Sequence, residues 1–113
     1  MKMVIAFIKE NKFGEVMLAL HKIGGLTGAS SSKIHGFGRD RSKHDPTQKP
    51  EVSLDFKPHI RLEIACNAEL VDKVLSTVEW AAHTGLRGDG KIYVLPLEQA
   101  VRISSGERDE DAI

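Results

Sequence analysis

The chain has 113 residues, 28% charged and 41% apolar, with sixteen basic residues balanced by sixteen acidic ones. That length suits one domain, residues 1–113, and the neutral balance provides no global field to attract nucleic acid or an anionic membrane. A domain this small buries a limited share of its surface, so assembly into oligomers is a natural source of stability.

Residues 2 to 9 are nearly continuously apolar with β-branched members, the pattern of a central strand covered on both faces. The run is too short to span a bilayer and lacks the small-residue cleavage site of a secretion signal. It predicts a cytoplasmic protein with no direct membrane insertion. Phe13, Val16, Met17, Leu20 and Ile23 then recur at helical spacing, and Gly24-Gly25 supplies the stop. A second extended stretch runs from Ala29 to His35, although Ser30, Ser31 and Ser32 are poor strand formers. Residues 38–56 are polar and aperiodic and hold Asp45-Pro46 and Lys49-Pro50; loops of that length in a compact domain tend to be functional or disordered.

From His59 to Ala65 apolar and polar residues alternate, as in a strand with two different faces. Val71, Val74, Leu75, Val78 and Ala82 mark a second amphipathic helix, with Asn67 as its cap and Trp80 as a packing residue beside the stripe. Cys66, the single cysteine, reads as a small core residue in a reducing compartment. A glycine-rich turn, Thr84 to Gly90, leads into the strand Lys91-Ile92-Tyr93-Val94-Leu95, and the tail from Ser104 is polar and acidic. The sum is an α+β chain of βαββαβ order, the ferredoxin-like plan, with a long loop between strands 2 and 3. Helices in this plan cover one sheet face and leave the other in need of a partner.

Gly85 to Lys91 fits G-x-x-x-x-G-K, the body of a phosphate-binding P-loop. Ile92 stands where a magnesium-ligating Ser or Thr belongs, and a strand rather than a helix follows, which argues against a P-loop NTPase. Three glycines still let backbone N–H groups approach an anion beside Lys91. The same residues also read as a plain helix-to-strand turn. Gly36-Phe37-Gly38-Arg39 is a second glycine pair beside a cation, and Arg102 offers another guanidinium after the fourth strand. His35, His44 and His59 with Asp40 and Asp45 form a possible transition-metal set, best represented by Asp40 and His44, but their spacing matches no zinc pattern. No nucleophile–base pattern surrounds Cys66. Acylphosphatase chemistry on this plan needs a phosphate loop with arginine after the first strand, where Lys9-Glu10-Asn11-Lys12 puts a repelling carboxylate. A non-enzyme is expected.

Thr84-Gly85-Leu86-Arg87-Gly88-Asp89-Gly90-Lys91-Ile92-Tyr93-Val94 resembles the C-terminal signature of the PII signal-transduction family. Lys33 to Arg39, Val101-Arg102-Ile103, Gly106-Glu107-Arg108 and the end Asp111-Ala112-Ile113 agree in order, so the resemblance covers all but the long loop. It implies a homotrimer that binds ADP, ATP or AMP in clefts between subunits. A "T-loop", here about residues 38–56, would touch a target, often a membrane transporter, which would recruit the protein to the inner membrane. Gly36, Phe37, Gly38 and Arg39 would line one side of the nucleotide. Gly88, Asp89, Gly90 and Lys91 would cradle the phosphates, with Arg102 reaching in from a neighbour through the C-terminal loop, about 103–113. Glu63 and Ala65 would meet the adenine edge, and Gly28 and Ser30 would lie close to the base.

Four departures follow from the same resemblance. Asp40 replaces a glutamine that helps hold Mg-ATP and 2-oxoglutarate; a carboxylate repels a dicarboxylate, although it can ligate a metal such as Mg. His59 replaces the lysine that pairs with 2-oxoglutarate, and Ser104 replaces a second phosphate-binding arginine. Val52 stands in place of the modifiable tyrosine. These changes predict weak response to 2-oxoglutarate, a variant regulator outside ordinary nitrogen sensing, and a preference for fewer phosphates. The alternatives are an ordinary nitrogen regulator or a metal-responsive or structural trimer similar to CutA-like proteins.

Overall fold

The computed structural model describes residues 1–36 and 57–113. Four strands, β1 (Lys2–Lys9), β2 (Ser30–Gly36), β3 (Lys57–Cys66) and β4 (Gly90–Pro96), form one antiparallel sheet in the order β2-β3-β1-β4. Helices α1 (Phe13–His21) and α2 (Val71–Ala82) pack against each other, and α2 lies on β1. The α+β, ferredoxin-like expectation is met.

The two-residue period of the strands decides where the core sits. Val4, Ala6 and Ile8 of β1 point to the same side as Ile60, Leu62, Ile64 and Cys66 of β3, and all are buried against Val16, Leu20, Val74 and Val78 of the helices. Each of the Val, Leu and Ile side chains among them contributes roughly 1.5–3 kcal/mol on leaving water. Burial also pushes the Cys66 thiol upward from its ordinary value, as expected of a small core residue. The opposite face carries Met3, Ile5 and Phe7, which are only half-buried. The expectation that β1 is covered on both faces therefore fails within one chain, because both helices lie on the same side.

Two further expectations are corrected. Asn67 does not cap α2: a 3-10 turn, Ala68–Leu70, intervenes, and the Asn67 side chain makes no capping hydrogen bond. Its Oδ1 is buried without a hydrogen-bond partner among the described residues. Trp80 is 86% exposed rather than packed, since the helical turn that buries Val74, Val78 and Ala82 carries it to the solvent side. Trp80→Ser is accordingly expected to change stability by no more than about 0.5 kcal/mol, as for a surface position. Urea denaturation measures this, and a large loss would mean that the indole is buried. The serine run proves compatible with a strand. β2 is an edge, and Ser30, Ser31 and Ser32 pair with Glu63, Leu62 and Arg61 without having to fill a core.

Candidate functional site

Antiparallel pairing sets the end of β1 beside the starts of β3 and β4. Lys9 lies opposite His59, Ile8 opposite Gly90 and Phe7 opposite Lys91. The glycine-rich turn therefore sits against the β1 end. Gly85, Gly88 and Gly90 all have positive φ, at +80°, +80° and +104°. At Gly90 the requirement is absolute, because a Cβ there would stand 1.6 Å from the Phe7 carbonyl oxygen.

The turn is ordered from within by Asp89. Its carboxylate accepts hydrogen bonds from Thr84 N (2.8 Å), Gly85 N (3.2 Å) and the Thr84 hydroxyl, and it pairs with Lys9 Nζ at 3.1 Å. Lys9 Nζ also donates to Thr84 Oγ1 at 3.0 Å, and His83 Nδ1 lies 3.4 Å from the carboxylate. Partial burial alone would raise the pKa of this group. The Thr84, Lys9 and Gly85 hydrogen bonds outweigh it and hold the carboxyl well below the usual carboxylate range. His59 Nε2–H donates to Gly88 O at 3.2 Å, a second clamp on the same turn.

Within the chain the Asp89 carboxylate is taken up by the turn itself. Lys9 is consumed by the same pair. Lys91, by contrast, is exposed and has no ion-pair partner among the described residues. It remains available to an external anion. Along one side of the turn a groove of about 430 Å³ runs between α2 and β4, with Ile8, Val78 and Ala82 on its floor and Asp89, Gly90 and Lys91 at its rim.

The other expected residues fall into two groups. Gly36 closes β2 at the same end of the sheet as Gly88–Lys91, opposite Lys57 in the β2–β3 register. Glu63 pairs with Ser30 across β2–β3, and Ala65 lies opposite Met3 toward the other end. Gly28 precedes Ser30 on an exposed connection where an added Cβ would touch nothing within 4 Å. With strands about 4.8 Å apart, β2 and β4 are separated by roughly 14 Å across the sheet. Arg102 belongs to the C-terminal segment, where its N–H donates to Glu107 O at 2.9 Å and its Nε lies 3.8 Å from Glu107 Oε1. That segment follows β4 at the end where Leu97 N bonds Met1 O, opposite to Lys91. One chain thus spreads the expected residues over both ends of the sheet and both of its edge strands rather than gathering them in one place. Phe37, Gly38, Arg39, Asp40 and His44, and with them the loop 38–56, lie outside the described residues. Among the described residues no group of three His, Cys, Asp or Glu is placed to hold a metal ion.

Sequence reasoning missed Lys9 and Thr84 as organisers of the turn. The available signal was topological, since the βαββαβ plan brings the end of β1 next to the start of β4.

Among the described residues, fold and turn define a small α+β domain with one sheet face free of helices and a preformed glycine turn beside a lysine without an ion-pair partner. The family model described as nitrogen regulatory protein P-II matches residues 1–107. Proteins named nitrogen regulatory protein P-II from Azospirillum brasilense, Rhodospirillum rubrum and Haemophilus influenzae are 40%, 41% and 39% identical, each over the full length of both chains. The chain belongs to the nitrogen regulatory protein P-II family, a family of signal-transduction regulators. Among the described residues no helix is long and apolar enough to cross a membrane.

Proposed function

We propose that the protein is a trimeric, non-enzymatic regulator that binds ADP, ATP or AMP in clefts between subunits. The observation that carries this reading is the turn itself. Asp89 and Lys9 neutralise each other while fixing the backbone, and among the described residues Lys91 beside it has no ion-pair partner. A preorganised loop with a free cation loses little on binding an anion, whereas a mobile one must first be ordered.

The spread of the expected residues within one chain supports a cleft completed by a neighbouring subunit. Gly36 and Gly88–Lys91 of one subunit would face Gly28, Ser30, Glu63, Ala65 and Arg102 of its neighbour. The bare sheet face supports assembly, since Tyr93 and Leu95 are 49% and 43% exposed in the single chain. Loop 38–56 would then signal nucleotide state to a membrane transporter, drawing this cytoplasmic protein to the inner membrane. Ser104 in place of a guanidinium favours the diphosphate over the triphosphate.

One preparation tests the reading. Light scattering is expected to give a trimer, and calorimetry is expected to detect ADP binding that Lys91→Ala weakens at least about tenfold, the value of one charge-assisted contact. Absence of binding by ATP, ADP and AMP at millimolar concentration would sink it.

The relatives' names favour a second reading, an ordinary nitrogen regulator; on that reading the protein would sense 2-oxoglutarate. Against it stand Asp40 and the engagement of His59 with Gly88 O. If 2-oxoglutarate tightens Mg-ATP binding in the same calorimeter, the second reading replaces the variant one.

A further inference from the structure

We propose that the outer face of the helical layer is a docking groove for an acidic amphipathic helix of a partner protein. Neither the nucleotide nor loop 38–56 takes part in it. β1 and β3 are antiparallel and each feeds one helix, so α1 and α2 run in opposite directions. The end of α1 therefore meets the start of α2. A groove of about 450 Å³ lies between them, where Leu18, Ala19, Ile23 and Thr77 are joined by Glu15, Lys22 and Lys73.

Two large apolar side chains stand in water on this layer. Leu18 is 67% exposed, and Trp80 is more exposed still. Trp80 follows Lys73 by two helical turns, so the two share one stripe of α2, roughly 10 Å apart along its axis. One exposed apolar residue calls for no explanation. Two beside the same groove mark a surface that gains by being covered. Assembly through the helix-free sheet face would leave this layer open, because both helices lie on the other side of the sheet.

Charge selects the occupant. Glu15 is engaged by Lys12 Nζ at 3.2 Å. Lys22 and Lys73 have no ion-pair partner among the described residues, so two cations meet an approaching segment at one end of the groove. Carboxylates are attracted there and a basic segment is repelled. Shape selects its form, since the gap between two packed helices admits the side-chain ridge of a third. Its carboxylates would face Lys22 and Lys73. Apolar residues one and two turns further along would cover Leu18 and Trp80. Exposed ion pairs add little by themselves, so the apolar contact supplies most of the affinity and the lysines supply the choice of sign.

Trp80 is the single tryptophan, so its emission reports on the groove directly. Three synthetic peptides serve as probes of the full-length protein: an amphipathic Leu/Glu helix, a Leu/Lys helix with the same leucines, and the acidic helix with serine in place of leucine. The Leu/Glu peptide is expected to shift Trp80 emission to the blue and to bind at least about tenfold more tightly than either control. Lys73→Glu, at an exposed position, is expected to weaken that peptide about fivefold or more, because attraction becomes repulsion. Trp80→Ser, followed with a labelled peptide, is expected to weaken binding while the urea midpoint stays unchanged. No shift with the Leu/Glu peptide, equal binding of the two charged peptides, or indifference to Lys73→Glu overturns the proposal. A shift produced only by phosphatidylglycerol vesicles also overturns it and makes the groove a membrane-binding face. Light scattering that shows copies joining through the groove, and parting in Lys73→Glu, overturns it in favour of a second copy.

Discussion

Gly90→Ala is expected to cost at least about 3 kcal/mol, combining backbone strain at positive φ with overpacking against a neighbouring strand. The methyl group would sit 1.6 Å from the Phe7 carbonyl oxygen, and that contact is with backbone, which no rotamer change relieves. β4 would have to leave β1 at the position where Ile8 and Gly90 pair. Because domains of this size are stable by only about 5–15 kcal/mol, the loss should appear as a large drop in the urea midpoint with an unchanged slope. Gly88→Ala provides the control. Its φ of +80° carries a similar backbone penalty, but the nearest atom to an added Cβ is Lys9 Cε at 3.8 Å, an ordinary contact. It should cost about 1–2 kcal/mol. If the two variants are equally stable, the close approach of β1 to Gly90 is wrong.

Asp89→Asn tests the staple and carries a pH signature. The amide retains the shape but cannot neutralise Lys9, and its NH2 group faces donors. Loss of hydrogen bonds to a charged group places the cost at about 2–3 kcal/mol near neutral pH. The folded-state value of Asp89 lies below its ordinary range, and an unfolded aspartate titrates near pH 4. Below about pH 4 the unfolded chain binds more protons at this position than the folded one, so its contribution to stability shrinks as pH falls. That contribution is complete above about pH 4 and is lost as pH falls through the folded-state value. The gap between wild type and Asp89→Asn in urea denaturation should therefore be widest at neutral pH and narrow progressively below pH 4. A gap that is constant from pH 7 to pH 2.5 would show that the carboxylate charge plays no part. The same variant loosens the turn beside Lys91, so on the nucleotide reading ADP binding should weaken several-fold.

The sequence made the strands and helices legible because their periods are strong. Val4, Ala6 and Ile8 against Met3, Ile5 and Phe7 define a two-faced strand, and Val74 and Val78 define the buried stripe of α2. It was less informative where geometry intervenes between neighbours in sequence. Asn67 has the chemistry of a helix cap, but the 3-10 turn at Ala68–Leu70 displaces it from the N–H groups it would need to meet. Trp80 has the chemistry of a core residue, but its place on the helical wheel faces solvent.

The glycine turn illustrates the division most clearly. Thr84 to Lys91 announced an anion site or a plain turn, and the sequence also revealed the family resemblance and the departures at Asp40, Val52, His59 and Ser104. Which cation is committed and which is available could not be read from residue types, since Lys9 and Lys91 are both lysines beside apolar strands. Lys9 is 80 positions before Asp89, and only the antiparallel register of β1 with β4 brings the two together. The same register makes Gly90 irreplaceable and seats Arg61 over Phe7 beside Glu63. Local composition determined what each element is. Long-range pairing decided which charges cancel and which remain to meet a ligand, because Coulomb and hydrogen-bond energies depend on distances that chain order does not contain.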